Sequence, residues 1–95
     1  MKVTIFTTEA LEFRILQILY QNYSNSNEIL EKLKEEQLAF DNKIFYPALS
    51  RLSLKNFLCT NWLKIKNEVK EKYYFLTPLG KIYFEKLQLV GNVNF

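Results

Sequence analysis

The spacing of apolar residues in this 95-residue chain changes between residues 57 and 77. On either side of that section, apolar residues recur every three to four positions, as they do on one face of a helix. Within it, two segments rich in strand-forming residues, 57–65 and 72–77, flank the polar turn 66–70. This pattern predicts a β-hairpin. The sequence therefore predicts a mainly α-helical fold with one small β-hairpin.

Two helices are predicted before residue 40. The first is capped by Thr7 or Thr8 and runs to about Tyr23. The second begins at Asn25, which is followed three residues later by a glutamate as in a capping box, and it ends near Gln37. The expected core-facing residues are Leu11, Ile15, Ile18 and Leu19 in the first helix, and Ile29, Leu30 and Leu33 in the second.

The third helix is clearly delimited. Asp41 is a good cap for its start, and Asn56 stands where a residue of left-handed conformation commonly ends a helix. Pro47 lies in its second turn and is expected to bend it. The residues expected to face the core are Phe45, Ala48, Leu49 and Leu52.

A fourth helix follows the hairpin and starts at Thr77-Pro78, with proline at a position where it costs little. Its expected buried stripe is Leu79, Ile82, Tyr83 and Leu87. Residues 2–7 are expected to form a short strand or arm, and residues 91–95 an extended end. Three helices, a two-stranded wing and a C-terminal helix are the winged helix-turn-helix plan, and residues 1–95 are expected to form one such domain.

Three segments carry a resemblance to a known family. They are 45–52, which contains Tyr-Pro-Ala-Leu-x-x-Leu, 56–58, and 72–80, which contains Tyr-Tyr-x-Leu-Thr-Pro-x-Gly. In this order they resemble the PadR family of bacterial transcriptional regulators. The resemblance implies a winged-helix DNA-binding protein that forms dimers. That family dimerises through a long C-terminal helix, whereas the fourth helix here has room for only about three or four turns, so we expect a short form.

Charge is unevenly distributed along the chain. Residues 1–40 carry four basic and six acidic residues, whereas residues 41–95 carry nine basic and four acidic ones. An anionic partner is therefore expected to meet the second half.

Two polar surfaces in that half are candidates for DNA contact. If the apolar stripe of the third helix faces the core, a set of polar residues on its opposite side faces solvent. These residues could contact base edges and phosphates in a major groove. This set is Asn42, Lys43, Tyr46, Ser50 and Arg51. The wing set, expected on the phosphate backbone or in the minor groove, is Lys64, Lys66, Lys70 and Lys72. Each set also fits an ordinary solvated surface.

Other chemistries have little support in the sequence. The chain has no histidine, no glycine-rich phosphate loop and one cysteine, so neither an enzyme, a metal site nor a cofactor is expected. No apolar run is long enough to cross a membrane, and the lone Cys59 suits a cytoplasmic protein, in which it would be a small buried hydrophobe. Packing, rather than a platform for unpaired bases, is expected of Trp62, Tyr73, Tyr74, Tyr83 and Phe84.

The expected function is sequence-specific binding of double-stranded DNA by a homodimer, as a transcriptional repressor. Two alternatives remain open: a centromere-binding protein of a plasmid or phage partition system, and a winged-helix protein-interaction module that does not bind DNA. The chain ends are unusually apolar for free termini. Helix one, the N-terminal arm and the C-terminal segment are therefore expected to pack across a two-fold axis.

Overall fold

The computed structural model describes residues 8–36, 42–64 and 69–91. Within these ranges the elements, in chain order, are α1 (Thr8–Gln21), β1 (Ser24–Asn25), α2 (Ser26–Glu35), α3 (Asn42–Leu54), β2 (Leu58–Lys64), β3 (Lys70–Leu76) and α4 (Pro78–Gly91). The predicted winged-helix plan, mainly α with a two-stranded wing, is confirmed. Several predictions lie outside the described residues: the arm at 2–7, residues 92–95 of the extended end, the caps Thr7 and Asp41, and the helix end near Gln37. Gly91, also predicted to be extended, is the last residue of α4.

The start of α2 has the predicted capping box. The Asn25 side chain accepts a hydrogen bond from the backbone N–H of Glu28 at 2.8 Å. The Glu28 carboxylate accepts one in return from the backbone N–H of Asn25 at 3.0 Å. Two amides that the helix cannot satisfy internally are thus paired.

The sheet has one strand more than the sequence predicts. Ser24 pairs with Tyr74 and Asn25 with Tyr73, so the short strand β1 extends the hairpin to the order β1-β3-β2. A two-residue strand is too short to show an alternating pattern, so the sequence gives no signal for β1. Its effect is to attach the start of α2 to the sheet.

The core is formed by residues from all four helices and from the base of the wing. Its buried members are Leu11, Ile15, Leu16, Ile18, Leu19, Ile29, Leu33, Phe45, Ala48, Leu49, Leu52, Leu58 and Phe84. The stripes predicted for α1 and α3 are all among them, whereas Leu30 of α2 is only partly buried. α3 remains helical through Pro47, which is exposed.

The prediction for the buried side of α4 was wrong. Leu79 and Ile82 are each 51% exposed, whereas Phe84 is only 1% exposed. The reason is an aromatic contact with α1, since the Phe84 ring lies 4.9 Å from Tyr20 and 5.3 Å from Phe13 between centroids. This contact turns a neighbouring stripe of α4 inward. Of the predicted stripe, Leu87 packs on the core, and Tyr83 is exposed although its ring stacks on Phe57.

Two predictions about single side chains in β2 were also wrong. Cys59 is exposed rather than buried, and Trp62 is 61% exposed rather than packed. β2 is an edge strand of which only the first residue, Leu58, reaches the core. The other aromatic residues named above pack as predicted or in part, with Tyr73 and Phe84 buried.

α3 ends as predicted, with Asn56 in the left-handed region at φ 65°. The N–H of Phe57 donates to the carbonyl of Leu52, and the N–H of Asn56 to that of Ser53, both at 3.0 Å. This pair of bonds is the Schellman arrangement, which satisfies carbonyls at the end of a helix. It redirects the chain from α3 straight into β2.

Thr77 links this turn to α4. Its hydroxyl donates to the carbonyl of Asn56 at 2.6 Å and accepts the N–H of Gly80 at 2.9 Å. Its own N–H donates to the carbonyl of Phe57 at 3.1 Å. The end of α3, the base of the wing and the start of α4 are therefore joined by one network of hydrogen bonds.

Candidate nucleic-acid interface

α3 presents its predicted polar face to solvent. Lys43, Tyr46, Pro47 and Ser50 are exposed, and Arg51 is half-buried. Tyr46 is 49% exposed, and its ring meets the buried Phe45 ring edge-on at 5.0 Å, which anchors the base of the side chain. Asn42 is the first residue of α3, but its side chain lies outside the described set.

Arg51 also has a partner that sequence reasoning did not identify. Its Nε donates to the carboxylate of Glu12 in α1 at 2.7 Å, and the Glu12 side chain is only 15% exposed. No sequence pattern links Glu12 to a partner 39 residues away. A guanidinium has five N–H donors in a planar fork, and this bond leaves donors for a second acceptor. Arg51 therefore links α3 to α1 through an ion pair, and its side chain is still partly exposed to solvent.

Three of the four predicted wing lysines share one face of the hairpin. Lys64 lies directly opposite Lys70, and Lys72 directly opposite Trp62, in the antiparallel register. Side chains directly opposite, and those two residues apart on a strand, point to the same face. All three lysines are exposed. Lys66 lies outside the described residues.

The lysine face also carries aromatic rings. Lys72 places its Nζ 5.5 Å from the centroid of the Tyr74 ring, within the range of a cation–π interaction. The other face of the hairpin carries Glu71 beside the half-buried Leu63 and the buried Tyr73. The register therefore separates the cations of β2 and β3 from their acidic residue. Sequence alternation alone sorts each strand into two sides but does not say which sides coincide.

The described residues contain no group of three or more His, Cys, Asp or Glu side chains placed to hold a metal ion. Over the same ranges, no helix has the length and apolar character needed to span a bilayer. Two tyrosine hydroxyls in the fold have a raised pKa. For Tyr20 the cause is its hydrogen bond to Glu85 and the charge of that carboxylate, and for Tyr73 it is mainly burial. Neither tyrosine lies on α3.

Comparison with known proteins agrees with the geometry. The chain matches the sequence profile of the Transcriptional regulator PadR-like family over residues 15–86. A PadR-like transcription factor from Bacteroides fragilis is 28% identical and superposes with a TM-score of 0.78, over 90% of this chain and 82% of that one. No curated protein sequence matches the chain.

Two further solved structures share the fold. A PadR family transcription regulator from Clostridium difficile is 24% identical, with a TM-score of 0.73 over 87% of this chain and 92% of that one. Bacillus subtilis PadR, solved in complex with operator DNA, is 23% identical, with a TM-score of 0.71 over 85% of this chain and 48% of that one. The profile match spans most of this chain, from within α1 to within α4. It confirms the predicted resemblance and the expectation of a non-enzymatic protein, and the chain belongs to the PadR-like family of transcriptional regulators.

Proposed function

We propose that this protein binds duplex DNA sequence-specifically as a homodimer and represses transcription in the cytoplasm. The observation that carries the proposal is the face of α3 formed by Lys43, Tyr46, Ser50 and Arg51, which lies opposite the helix's buried stripe. The operator-DNA complex of Bacillus subtilis PadR, which shares the fold, supports a DNA ligand for this chain as well.

The chemistry of α3 suits a major groove. Arg51 brings donors for guanine or phosphate, Ser50 a hydroxyl that suits any base edge, and Tyr46 an aromatic edge with a hydroxyl. Asn42, at the start of the helix, is proposed to join them. Tyr46 and Pro47 would be poor choices for a helix face that meets only water, which favours a ligand over a merely solvated surface.

The wing is proposed to supply contacts that do not depend on sequence. Lys64, Lys70 and Lys72, with Lys66 from the turn, would neutralise phosphates beside the groove that α3 enters. Replacing both Lys66 and Lys70 by glutamine is expected to lower the slope of log affinity against log salt by roughly one per lost phosphate contact. Lys55→Gln combined with Lys81→Gln removes the same charge elsewhere and is the control. A loss confined to one DNA sequence would mean that the wing reads bases.

The homodimer is supported by the side of α4 that the core does not use. Leu79, Ile82, Leu89 and Val90 are all exposed and lie on one face of the helix. A second copy of the chain would cover this stripe and place two α3 helices on half-sites about one helical turn apart. The proposed interface also includes α1, the N-terminal arm and the C-terminal segment.

Light scattering on the intact chain tests the assembly. A dimer is expected at micromolar concentration, and Ile82→Lys should shift it toward monomer without unfolding it, because that side chain is half-exposed. Versions lacking residues 1–6 or 90–95 show whether the ends contribute. A monomeric intact protein would contradict the homodimer. A dimer unaffected by either truncation would restrict the interface to α1 and α4.

The DNA proposal is tested by selecting bound sequences from random duplexes and then measuring binding isotherms. Tyr46→Ala and Arg51→Ala are each expected to weaken specific binding by about 1–3 kcal/mol. Two further variants serve as comparisons. Tyr46→Phe removes the hydroxyl but keeps the ring, and Glu12→Gln weakens the ion pair between α1 and α3 while keeping Arg51. A loss in Arg51→Ala no greater than in Glu12→Gln would reduce Arg51 to a structural role. Unchanged affinity in both alanine variants would move the recognition surface elsewhere.

The outcome of the selection also separates the alternatives. A salt-dependent, sequence-specific shift supports the regulator. No shift of any duplex would favour a protein-interaction module. Selected sites that recur as arrays, in place of single promoter sites, would favour a partition component.

A further inference from the structure

Trp62 is an unusual residue to leave in solvent. It lies in the middle of β2, is 61% exposed, and is the single tryptophan of the chain. Tryptophan combines a large apolar ring with one N–H donor, a combination enriched where one surface meets another. Nothing in the fold requires an indole there, because the strand reaches the core through Leu58.

The surroundings of Trp62 point to an anion. Its direct cross-strand neighbour is Lys72, and the next pair toward the turn is Lys64 with Lys70. The pair on the other side is Thr60 with Tyr74, whose ring attracts the Lys72 ammonium. Side chains two residues apart on a strand are separated by roughly 7 Å, and direct partners by about 5 Å. The indole is therefore bordered by lysines within the reach of one ligand.

We propose that Trp62 contacts the DNA backbone, with its ring against a deoxyribose and its N–H toward a phosphate, while the neighbouring lysines hold the adjacent phosphates. The inference rests on the proposed function, and it adds to the lysine wing a contact that carries no charge. A row of lysines around one aromatic ring suits a ligand that alternates anionic groups with apolar sugar surfaces. An apolar protein surface would remove these ammonium groups from water, which is costly for charged groups.

The position in the strand favours backbone over bases. Trp62 precedes the end of β2 by two residues, so it lies on the flank of the hairpin and not at its tip. A flank that follows the sugar–phosphate chain meets the same chemistry at every step. The contact should therefore strengthen binding to all duplexes equally and contribute nothing to sequence choice.

Sequence preference and salt dependence of DNA binding distinguish an uncharged contact by Trp62 from the charged contacts of the lysines. Trp62→Ala is expected to weaken binding to selected and unrelated duplexes by the same factor, about fivefold to tenfold. The slope of log affinity against log salt should stay unchanged, because no cation is lost. Trp62→Phe should retain most of the affinity. Cys59→Ser, an exposed position in the same strand on the opposite face, is the matched control and should bind like the parent.

The single tryptophan makes the contact directly observable. Acrylamide quenching of its fluorescence is measured on the full chain, free and saturated with duplex DNA, while anisotropy of a labelled duplex reports binding independently. The expected result is a quenching constant at least twofold lower in the complex. Thermal unfolding of Trp62→Ala should match the parent within a few degrees, since most of the side chain is exposed.

The possible results have distinct meanings. If anisotropy shows binding but quenching and Trp62→Ala affinity are unchanged, the Trp62 contact is refuted and the proposed function stands. If protection is stronger with single-stranded DNA than with duplex, the ring stacks on bases and the backbone contact is refuted. If no duplex binds at all, the proposed function fails and this inference fails with it.

Discussion

Gly80 is the position where one added methyl group should do most damage. It is buried in the first turn of α4, and a Cβ built on it would lie 2.2 Å from the carbonyl oxygen of Phe57 and 3.1 Å from a methyl carbon of Leu76. The nearest atom is backbone, so no side-chain rotation relieves the clash. That same carbonyl accepts the N–H of Thr77 at 3.1 Å. Moving it away would cost this bond as well.

The size of the effect follows from opposing terms. Alanine is favoured over glycine within a helix by about 1 kcal/mol. Against this, forcing an extra carbon into a packed site costs typically about 1–3 kcal/mol, and a lost backbone hydrogen bond about 1 kcal/mol. At 2.2 Å the overlap is severe, so the upper part of the steric range applies. We expect Gly80→Ala to destabilise the protein by about 2–3 kcal/mol net, which for a domain of this size lowers Tm by roughly 10–20 °C.

Urea and thermal unfolding followed by circular dichroism measure this change. Lys81→Ala is the control, since it lies next to Gly80 in the same helix but is exposed, and it should stay within about 0.5 kcal/mol of the parent. If Gly80→Ala is as stable as the parent, or is more stable by the helix-propensity gain, the close approach of α4 to Phe57 is wrong.

Three smaller effects are expected from unfolding measurements. Asn56→Ala should cost about 1 kcal/mol because alanine is strained at positive φ, whereas Asn56→Gly should be neutral or stabilising; equal losses would contradict the left-handed turn. Asn25→Ala removes the capping box and should cost about 1 kcal/mol, while the exposed Asn27→Ala should change little. Tyr20 has a pKa raised above 10.0 by Glu85, so its proton is held more tightly in the folded state, and this stabilisation is complete below about pH 10 and lost as pH rises through the folded pKa. Tyr20→Phe should reduce the decline of the urea midpoint above that pH, and an unchanged decline would rule out the Tyr20–Glu85 bond.

Local signals were enough for the order of the four helices and the hairpin, and for two of the helix ends. The capping box at Asn25 and the helix end at Asn56 depend on residues at most five apart, so a single stretch of sequence contains the whole interaction. The outward set on α3 was also predictable, because the helical period ties the exposed side to the buried one. Family motifs reinforced the same elements.

The three-dimensional packing decided what local patterns leave open. The helix α4 has two adjacent apolar stripes, and only the rings of Phe13 and Tyr20 on α1 select the one containing Phe84. The tie between Arg51 and Glu12 joins helices far apart in sequence. Neither contact has a periodic signature, because each depends on how two elements face each other.

The wing shows most clearly the difference between what local sequence predicts and what the packing decides. The alternation of residues in β2 and β3 is written in the sequence, and it predicts a hairpin with lysines along it. The register between the strands decides which lysines lie opposite each other. It also places them on the same face as Trp62 and puts Glu71 on the other face. A shift of one residue would exchange the faces, and register is favoured by the buried Leu58 opposite the partly buried Leu76 at the base of the sheet. The sequence by itself determined the order of the four helices and the hairpin, because these follow from local periods and caps. The tertiary structure alone decided which wing residues share a face and that Arg51 is held by Glu12, because both depend on contacts between separate segments of the chain.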